Sequence, residues 1–236
     1  MEKKGTIIAF EGLDNSFKET NCTTFALRLS EEKWDYMTYY ESFPRYNSEW
    51  SFAIKKWLNG SIDREYLKSH PKLLCSFYAS DRMAYWHEPY MEQDHNYYKY
   101  IDNYINDKCY FVFDRYDSSK IYNTLSGGMP TLEDFTFDRD FTGNPVPDIT
   151  VVMRMGDFSV LEDLIKEKEN KDLNETDIEF LKNTWDKLEY AINNELFQKA
   201  GSKLVVVNCL NDNGSIKGKK EIADFIWEEV TKLLEY

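Results

Sequence analysis

A lysine at position 18 follows a short apolar run and a polar turn opened by glycine: Ile7-Ile8-Ala9-Phe10-Glu11-Gly12-Leu13-Asp14-Asn15-Ser16-Phe17-Lys18-Glu19-Thr20. A lysine in the first turn of a helix sits beside unpaired backbone N–H groups and the positive end of the helix dipole, so the chemistry it suits is the holding of a phosphate. Measured against the phosphate-loop pattern G-x-x-x-x-G-K-[ST], Gly12 and Lys18 fit. Phe17 stands where the second glycine belongs, and Glu19 where the Mg-binding hydroxyl belongs. Over these residues alone, an ordinary strand and helix with a surface lysine would look the same. Further along, Asp114-Arg115-Tyr116 closes an apolar run, Arg45 is the only cation in a loop marked by Pro44, and Tyr78 and Arg82 stand four apart, which puts a ring and a guanidinium on one helix face.

These residues need elements to position them. Short apolar runs at 6–10, 34–40, 109–113, 149–153 and 204–207 read as strands, the third buried on both faces. Helical spacing recurs in Thr20, Phe25, Ala26 and Leu29, in Trp50, Ala53, Ile54, Trp57 and Leu58 before Asn59-Gly60, and in Leu74, Phe77, Tyr78 and Tyr85 after Pro71. It recurs again in Ile178, Leu181, Trp185, Leu188 and Ile192, and over 222–234. A helix is expected over 118–125, and 86–108 reads as a solvated loop followed by a helix through Tyr98, Ile101 and Ile105. Alternating charge over 166–172 reads as a solvated face. Strands alternating with helices predict an α/β fold, a five-stranded parallel sheet with helices on both faces. Charged residues at strand ends then sit where such sheets bind ligands.

The chain has 236 residues, enough for one sizeable core, and is expected to form a single domain over 1–236. Its net charge of −13 argues against a nucleic-acid or acidic-membrane partner, so an anionic substrate must be met by a local cluster of cations. No apolar stretch is long enough to span a bilayer, and Met1-Glu2-Lys3-Lys4 leads directly into a strand, so a cytoplasmic protein is expected. Cys22, Cys75, Cys109 and Cys209 form no CxxC pair and read as reduced core thiols; His70, His87 and His95 lack metal-site spacing.

In order and spacing the chain resembles the thymidylate kinases, a family of P-loop nucleoside monophosphate kinases. The resemblance rests on Phe10-Glu11-Gly12-Leu13-Asp14, Ser42-Phe43-Pro44-Arg45, Ser76-Phe77-Tyr78-Ala79-Ser80-Asp81-Arg82, Asp114-Arg115-Tyr116, Pro147-Asp148 and Lys171-Asp172-Leu173-Asn174-Glu175. It implies transfer of the γ-phosphoryl of ATP to dTMP with Mg²⁺ as cofactor, in a chain that pairs as a homodimer, with the helix 73–85 a candidate face. Gly12, Asn15, Ser16, Phe17, Lys18, Glu19 and Thr20 would surround the ATP phosphates, with Lys18 on the β- and γ-phosphates. Arg45 and Arg115 would clamp the acceptor phosphate, with Asp14 accepting the sugar 3′-hydroxyl or steering Arg115. Phe43, Tyr78, Arg82, Ser119 and Asn123 would meet the acceptor nucleoside, Tyr78 stacking on the base and Arg82 donating to a carbonyl such as O4. Thr20 or Asp114 would hold Mg²⁺.

The segment 166–175 resembles the mobile lid, in which relatives carry an arginine for the transferring phosphoryl. Here the cations are Lys166, Lys168 and Lys171, with Lys168 taken as catalytic, and Arg154 is left without a role. Phe17 is expected to turn its N–H to phosphate at negative φ, its ring packed away from an open cradle. Two rival readings remain. One is a kinase for dUMP, a modified pyrimidine or another deoxynucleotide. The other is a degraded module that binds nucleotide without transferring phosphate, for which Phe17 and Glu19 are the evidence.

Overall fold

The computed structural model describes residues 5–33, 35–91, 100–117, 128–169 and 176–234. Five parallel strands form one sheet in the order β2-β3-β1-β4-β5: β1 (Thr6–Glu11), β2 (Met37–Ser42), β3 (Cys109–Asp114), β4 (Ile149–Arg154) and β5 (Lys203–Asn208). The alternation of strands and helices in the sequence predicts this α/β architecture, and the register sets what it does. Phe10 lies opposite both Asp114 and Val151, so the carboxyl ends of β1 and β3 bring Glu11 and Asp114 to one edge. β2 begins later than expected, at Met37, because its pairing starts opposite Cys109; Trp34 lies outside the described residues.

The period-two geometry of β1 divides the core. Ile8 and Phe10 face a cluster with Phe25, Leu29, Val151 and Ile226, built with α1 (Lys18–Glu32), while Ile7 and Ala9 face Phe43, Tyr85, Trp86, Phe111 and Phe113. Asp148, just ahead of β4, explains the Pro147-Asp148 pair structurally. Its Oδ2 accepts from the Ile7 N–H at 2.9 Å, and its own N–H donates to the Ile7 carbonyl at 2.9 Å, which locks β1 to β4 where they begin.

The 3₁₀ turn Glu49–Ser51 leads into α2 (Phe52–Leu58), which ends before Asn59-Gly60 as the sequence predicts. The sequence reading missed α3 (Arg64–Ser69), capped by Asp63. In α4 (Pro71–Met91), proline takes the first helical position, where its missing N–H costs nothing. This helix runs through Trp86, so the expected solvated loop is corrected: Trp86 is fully buried, and its Nε1–H donates to the Tyr116 hydroxyl at 2.9 Å. α5 (Tyr100–Asn106) adds Tyr104 to the same aromatic cluster.

A second missed helix, α6 (Leu132–Thr142), opens with a capping box between Thr131 and Asp134. α7 (Phe158–Glu167), α8 (Ile178–Asn193), α9 (Leu196–Lys199) and α10 (Lys219–Leu234) complete the described helices. Among the described residues no helix is long and apolar enough to cross a membrane. All four cysteines are free and buried. The expected helix at 118–125 lies outside the described residues.

The aromatic cluster under β3 should dominate stability on that face. Trp86→Ala removes a fully buried indole and the hydrogen bond it donates to Tyr116, whose hydroxyl keeps its bond to the Pro145 carbonyl, and is expected to cost about 3–5 kcal/mol in denaturant unfolding. A loss below about 1 kcal/mol would remove Trp86 from the load it is assigned.

Candidate active site

The loop after β1 is built by crowding. At Gly12, with φ of 145°, a β-carbon would lie 2.9 Å from the Met153 carbonyl oxygen and 2.6 Å from Ser16 Oγ, so only glycine lets the chain leave the sheet here. Ser16 is buried and its hydroxyl donates to the Leu13 carbonyl at 2.7 Å, which closes the turn. Asn15 and Phe17 both take the left-handed conformation, at φ of 61° and 62°. This corrects the expectation of negative φ at Phe17. A side chain there costs on the order of 1–2 kcal/mol. The conformation is held because Asn21 Nδ2 donates to the Phe17 carbonyl at 2.8 Å, while the ring packs against the α1 side of the core. The cradle stays open: Asp14, Asn15, Phe17, Lys18, Glu19 and Thr20 line a cavity of about 320 Å³.

That cavity gathers cations from three parts of the chain. Lys18, at the start of α1, is 4% exposed, with Nζ 4.0 Å from Asp114 Oδ1. Arg115, just past β3, has φ of 65°, and its N–H donates to the Phe10 carbonyl at 2.9 Å. This strained backbone turns its guanidinium back over the loop, where Nη2 donates to Asp14. Lys168, just past α7, lines the same cavity. Burial pushes the Asp14 carboxyl up, but the charges of Arg115, Lys18 and Lys168 outweigh it and hold Asp14 below the ordinary carboxylate range. Lys18 is drawn down to about 8, by burial first and the Arg115 charge second, against the pull of Asp14, Asp114 and Glu11.

Glu11 is a functional neighbour that the sequence reading left without a role. It is fully buried, and its Oε1 accepts from the backbone N–H groups of Tyr116, at 2.7 Å, and Asp117, so it orients the segment that carries Arg115. An acid at the end of an apolar strand was the available signal.

On the acceptor side the structure revises several expectations. Phe43 is a core ring in edge contact with Tyr85, Phe113 and Tyr116. Tyr78, expected to stack on the base, is buried in a cluster with Ile54, Trp57, Leu67 and Leu74; its i, i+4 spacing suits either role. Arg45 is fixed to Asp81: its N–H donates to Oδ2 at 2.8 Å and its Nε to Oδ1 at 3.2 Å. Arg82 is buried against Asp138 of α6, Nε donating to Oδ2 at 2.5 Å, with its guanidinium over the Tyr116 ring. Asp138 was missed because α6 was missed. Ser119, Asn123, Lys171 and the segment 170–175 lie outside the described residues. Arg154 is engaged side-on by Glu189, with Nε 2.9 Å from both carboxylate oxygens, and its role is that ion pair.

The donor set suits magnesium. Asp114 is 2% exposed and its Oδ1 has no hydrogen-bond partner among the described residues, while Glu19 and Thr20 are exposed on the cavity wall. Among the described residues no group of three or more acids, histidines or cysteines forms a metal cage. A few hard oxygens beside a phosphate cradle are what Mg²⁺ takes when phosphates supply the other ligands. A larger, mainly apolar cavity of about 820 Å³ adjoins the first, between α1, Leu164 and α10, with Phe17, Thr20 and Leu164 shared by both.

The site is thus a five-stranded parallel sheet with a glycine-opened loop after β1 and cations at its carboxyl edge, an arrangement of the α/β class in which ligands are bound at strand ends. Within that class the fold is that of the thymidylate kinases. The thymidylate kinase of Candida albicans, an enzyme described as broad in substrate specificity, matches with a TM-score of 0.63 over 98% of this chain and 93% of its own, at 16% identity. The thymidylate kinase of Ehrlichia chaffeensis matches with a TM-score of 0.56 over 98% of both chains, at 18% identity. No family model and no curated protein matches the sequence.

The buried lysine has a pH signature. Charged Lys18 is penalised in the folded chain at all pH below about 8, and the penalty is relieved as pH rises from there toward the ordinary lysine value of 10.5. Relative to Lys18→Met, the wild type should therefore gain stability between pH 8 and 10, by up to about 3 kcal/mol. Parallel unfolding curves for the two proteins across that range would show Lys18 to titrate as an exposed lysine.

Proposed function

We infer that the chain is a nucleoside monophosphate kinase that moves the γ-phosphoryl of ATP to dTMP, giving dTDP and ADP. The observation that carries this reading is the meeting of Lys18, Arg115 and Lys168 around Asp14 in a cavity floored by the phosphate loop. The thymidylate-kinase fold supports it. In the reaction, an oxygen of the acceptor phosphate bonds to the γ-phosphorus while the bond from that phosphorus to the β,γ-bridging oxygen breaks, and ADP leaves with the electron pair. The attacking oxygen is already ionised near neutral pH, so the protein has to position the phosphates and neutralise charge.

Lys18 holds the donor phosphates. Arg115 exchanges Asp14 for the acceptor phosphate, which its planar fork fits better than an ammonium would. Lys168 faces the transferring group: Lys166 is exposed and paired with Glu162 and Asp163, whereas Lys168 lines the cavity. Asp114, with Glu19 or Thr20, would hold Mg²⁺, which when bound would supply charge neutralisation to the donor phosphates. The large apolar cavity is the natural seat for the donor nucleoside. The free thiols accord with a cytoplasmic setting. A homodimer would have to use faces other than the aromatic side of α4, where Tyr78, Ala79 and Tyr85 are buried in the chain's own core.

A second reading changes the base. Arg82, expected to donate to O4, is buried in its ion pair with Asp138, so the described residues give no preference for O4 of thymine or uracil over the amino group of cytosine. The open cradle suits nucleotide binding in the kinase and the module readings alike, and turnover is what separates them.

A coupled ADP-release assay across the deoxynucleoside monophosphates decides among these. The expected result is turnover with kcat/KM highest for dTMP; preference for dCMP would favour the second reading, and ATP binding without turnover would favour the module. Lys18→Ala should abolish turnover while leaving monophosphate binding largely intact. Arg115→Ala and Lys168→Ala should each lower kcat by on the order of 10²-fold or more. Lys166→Ala should stay within about threefold of wild type, as expected for an exposed ion pair.

A further inference from the structure

We propose that the Phe17 side chain is a donor-positioning residue, the wall against which the nucleoside of ATP is seated, and not merely a substitute for a loop glycine. The inference rests on the kinase reading above and deepens it. Phe17 lines both cavities, the polar one of about 320 Å³ that holds Lys18 and Arg115 and the apolar one of about 820 Å³ toward α10. It therefore stands on the boundary between the phosphates of a donor and its base and sugar. Thr20 and Leu164 share that boundary, but among these three residues Phe17 supplies the aromatic face.

The backbone makes the same point independently. Phe17 is held at φ of 62°, where a side chain is strained and a glycine is not. The strain is enforced by Asn21, 6% exposed, whose Nδ2 and backbone N–H both bond to the Phe17 carbonyl, at 2.8 and 3.2 Å. A left-handed phenylalanine at the start of a helix caps nothing with its side chain, so the local fold gains no hydrogen bond from it. What the residue does gain is packing against the core and a place in the walls of both cavities. Observed strain at a ligand cradle is the usual mark of a conformation kept for binding. A flat π-face beside an apolar cavity that opens onto a phosphate cradle recognises a polyphosphate with a base attached, since any nucleobase stacks on it, and has nothing to offer a bare polyphosphate.

The test separates the ring from the loop. MgATP and magnesium tripolyphosphate are titrated calorimetrically into wild type, Phe17→Gly, Phe17→Asn and Phe17→Tyr. Asparagine tolerates the left-handed conformation and so removes the ring while keeping the cradle stiff. Expected is a loss of roughly tenfold in MgATP affinity for the Gly and Asn variants, with tripolyphosphate within about twofold of wild type, and both affinities retained in Phe17→Tyr. The inference is overturned if Phe17→Asn binds MgATP as wild type does, or if it loses the two ligands in parallel, which would make the ring a support of the cradle alone. A wild-type chain that binds tripolyphosphate but not MgATP also overturns it, because the ring would then bar the nucleoside. Failure of wild type to bind either ligand would overturn the kinase reading along with it.

Discussion

Burying a charged lysine at the carboxyl edge of the sheet is the constraint on which the rest of this structure depends. A buried ammonium without compensation would lose its proton or unfold the chain, so Lys18 needs carboxylates close by. The sheet order supplies them. With β1 between β3 and β4, the strand ends deliver Glu11 and Asp114 beneath Lys18, and the following turns deliver Asp14 and Arg115 above it. Burial outweighs their pull, so Lys18 remains drawn down to about 8. A desolvated ammonium gains from any further anion brought against it, and a triphosphate is a concentrated one.

The sequence made the five strands and their parallel class legible because short apolar runs alternate with helices, but the order β2-β3-β1-β4-β5 was not in it. The phosphate loop was legible because Gly12 and Lys18 keep the spacing that a strand, a tight turn and a helix require. What escaped was decided by contacts distant in sequence. Trp86 sits in a polar, tyrosine-rich neighbourhood of the chain, yet the face of β3 carrying Phe111 and Phe113 draws it in. Arg82 finds its counter-ion 56 residues away on α6, a helix whose capping box, Thr131 to Asp134, was in the sequence to be read. Tyr78 and Arg82 share a helix side, but spacing does not say whether that side faces a ligand or another helix. Tyr78 turned out to face Trp57 and Leu74.

The backbone of the site is the part least open to sequence reasoning. Asn15, Phe17 and Arg115 are all left-handed, and each faces the same small volume. At Arg115 the conformation has a visible cause. Glu11 accepts from the two N–H groups that follow, and the Arg115 N–H bonds to Phe10, so the residue is pinned on both sides while its guanidinium reaches Asp14. Such strain persists only where surrounding contacts over-determine it, and here those contacts are buried hydrogen bonds of β1.

Asp14 then acquires a meaning that neither its acidity nor its motif supplies alone. Without substrates it is the common counter-ion of Arg115, Lys18 and Lys168, and it keeps the three near one point despite their mutual repulsion. In the proposed reaction, phosphate oxygens would present charge of the same sign and a similar acceptor geometry, so each cation would exchange one anionic partner for another with little movement. Catalysis of phosphoryl transfer asks for charges already aimed at the place where negative charge redistributes, without a reorganisation cost at the moment of reaction. In the proposed reaction a carboxylate standing in for phosphate would keep the three cations of the site pre-aimed, in a chain whose overall charge of −13 offers them many other partners.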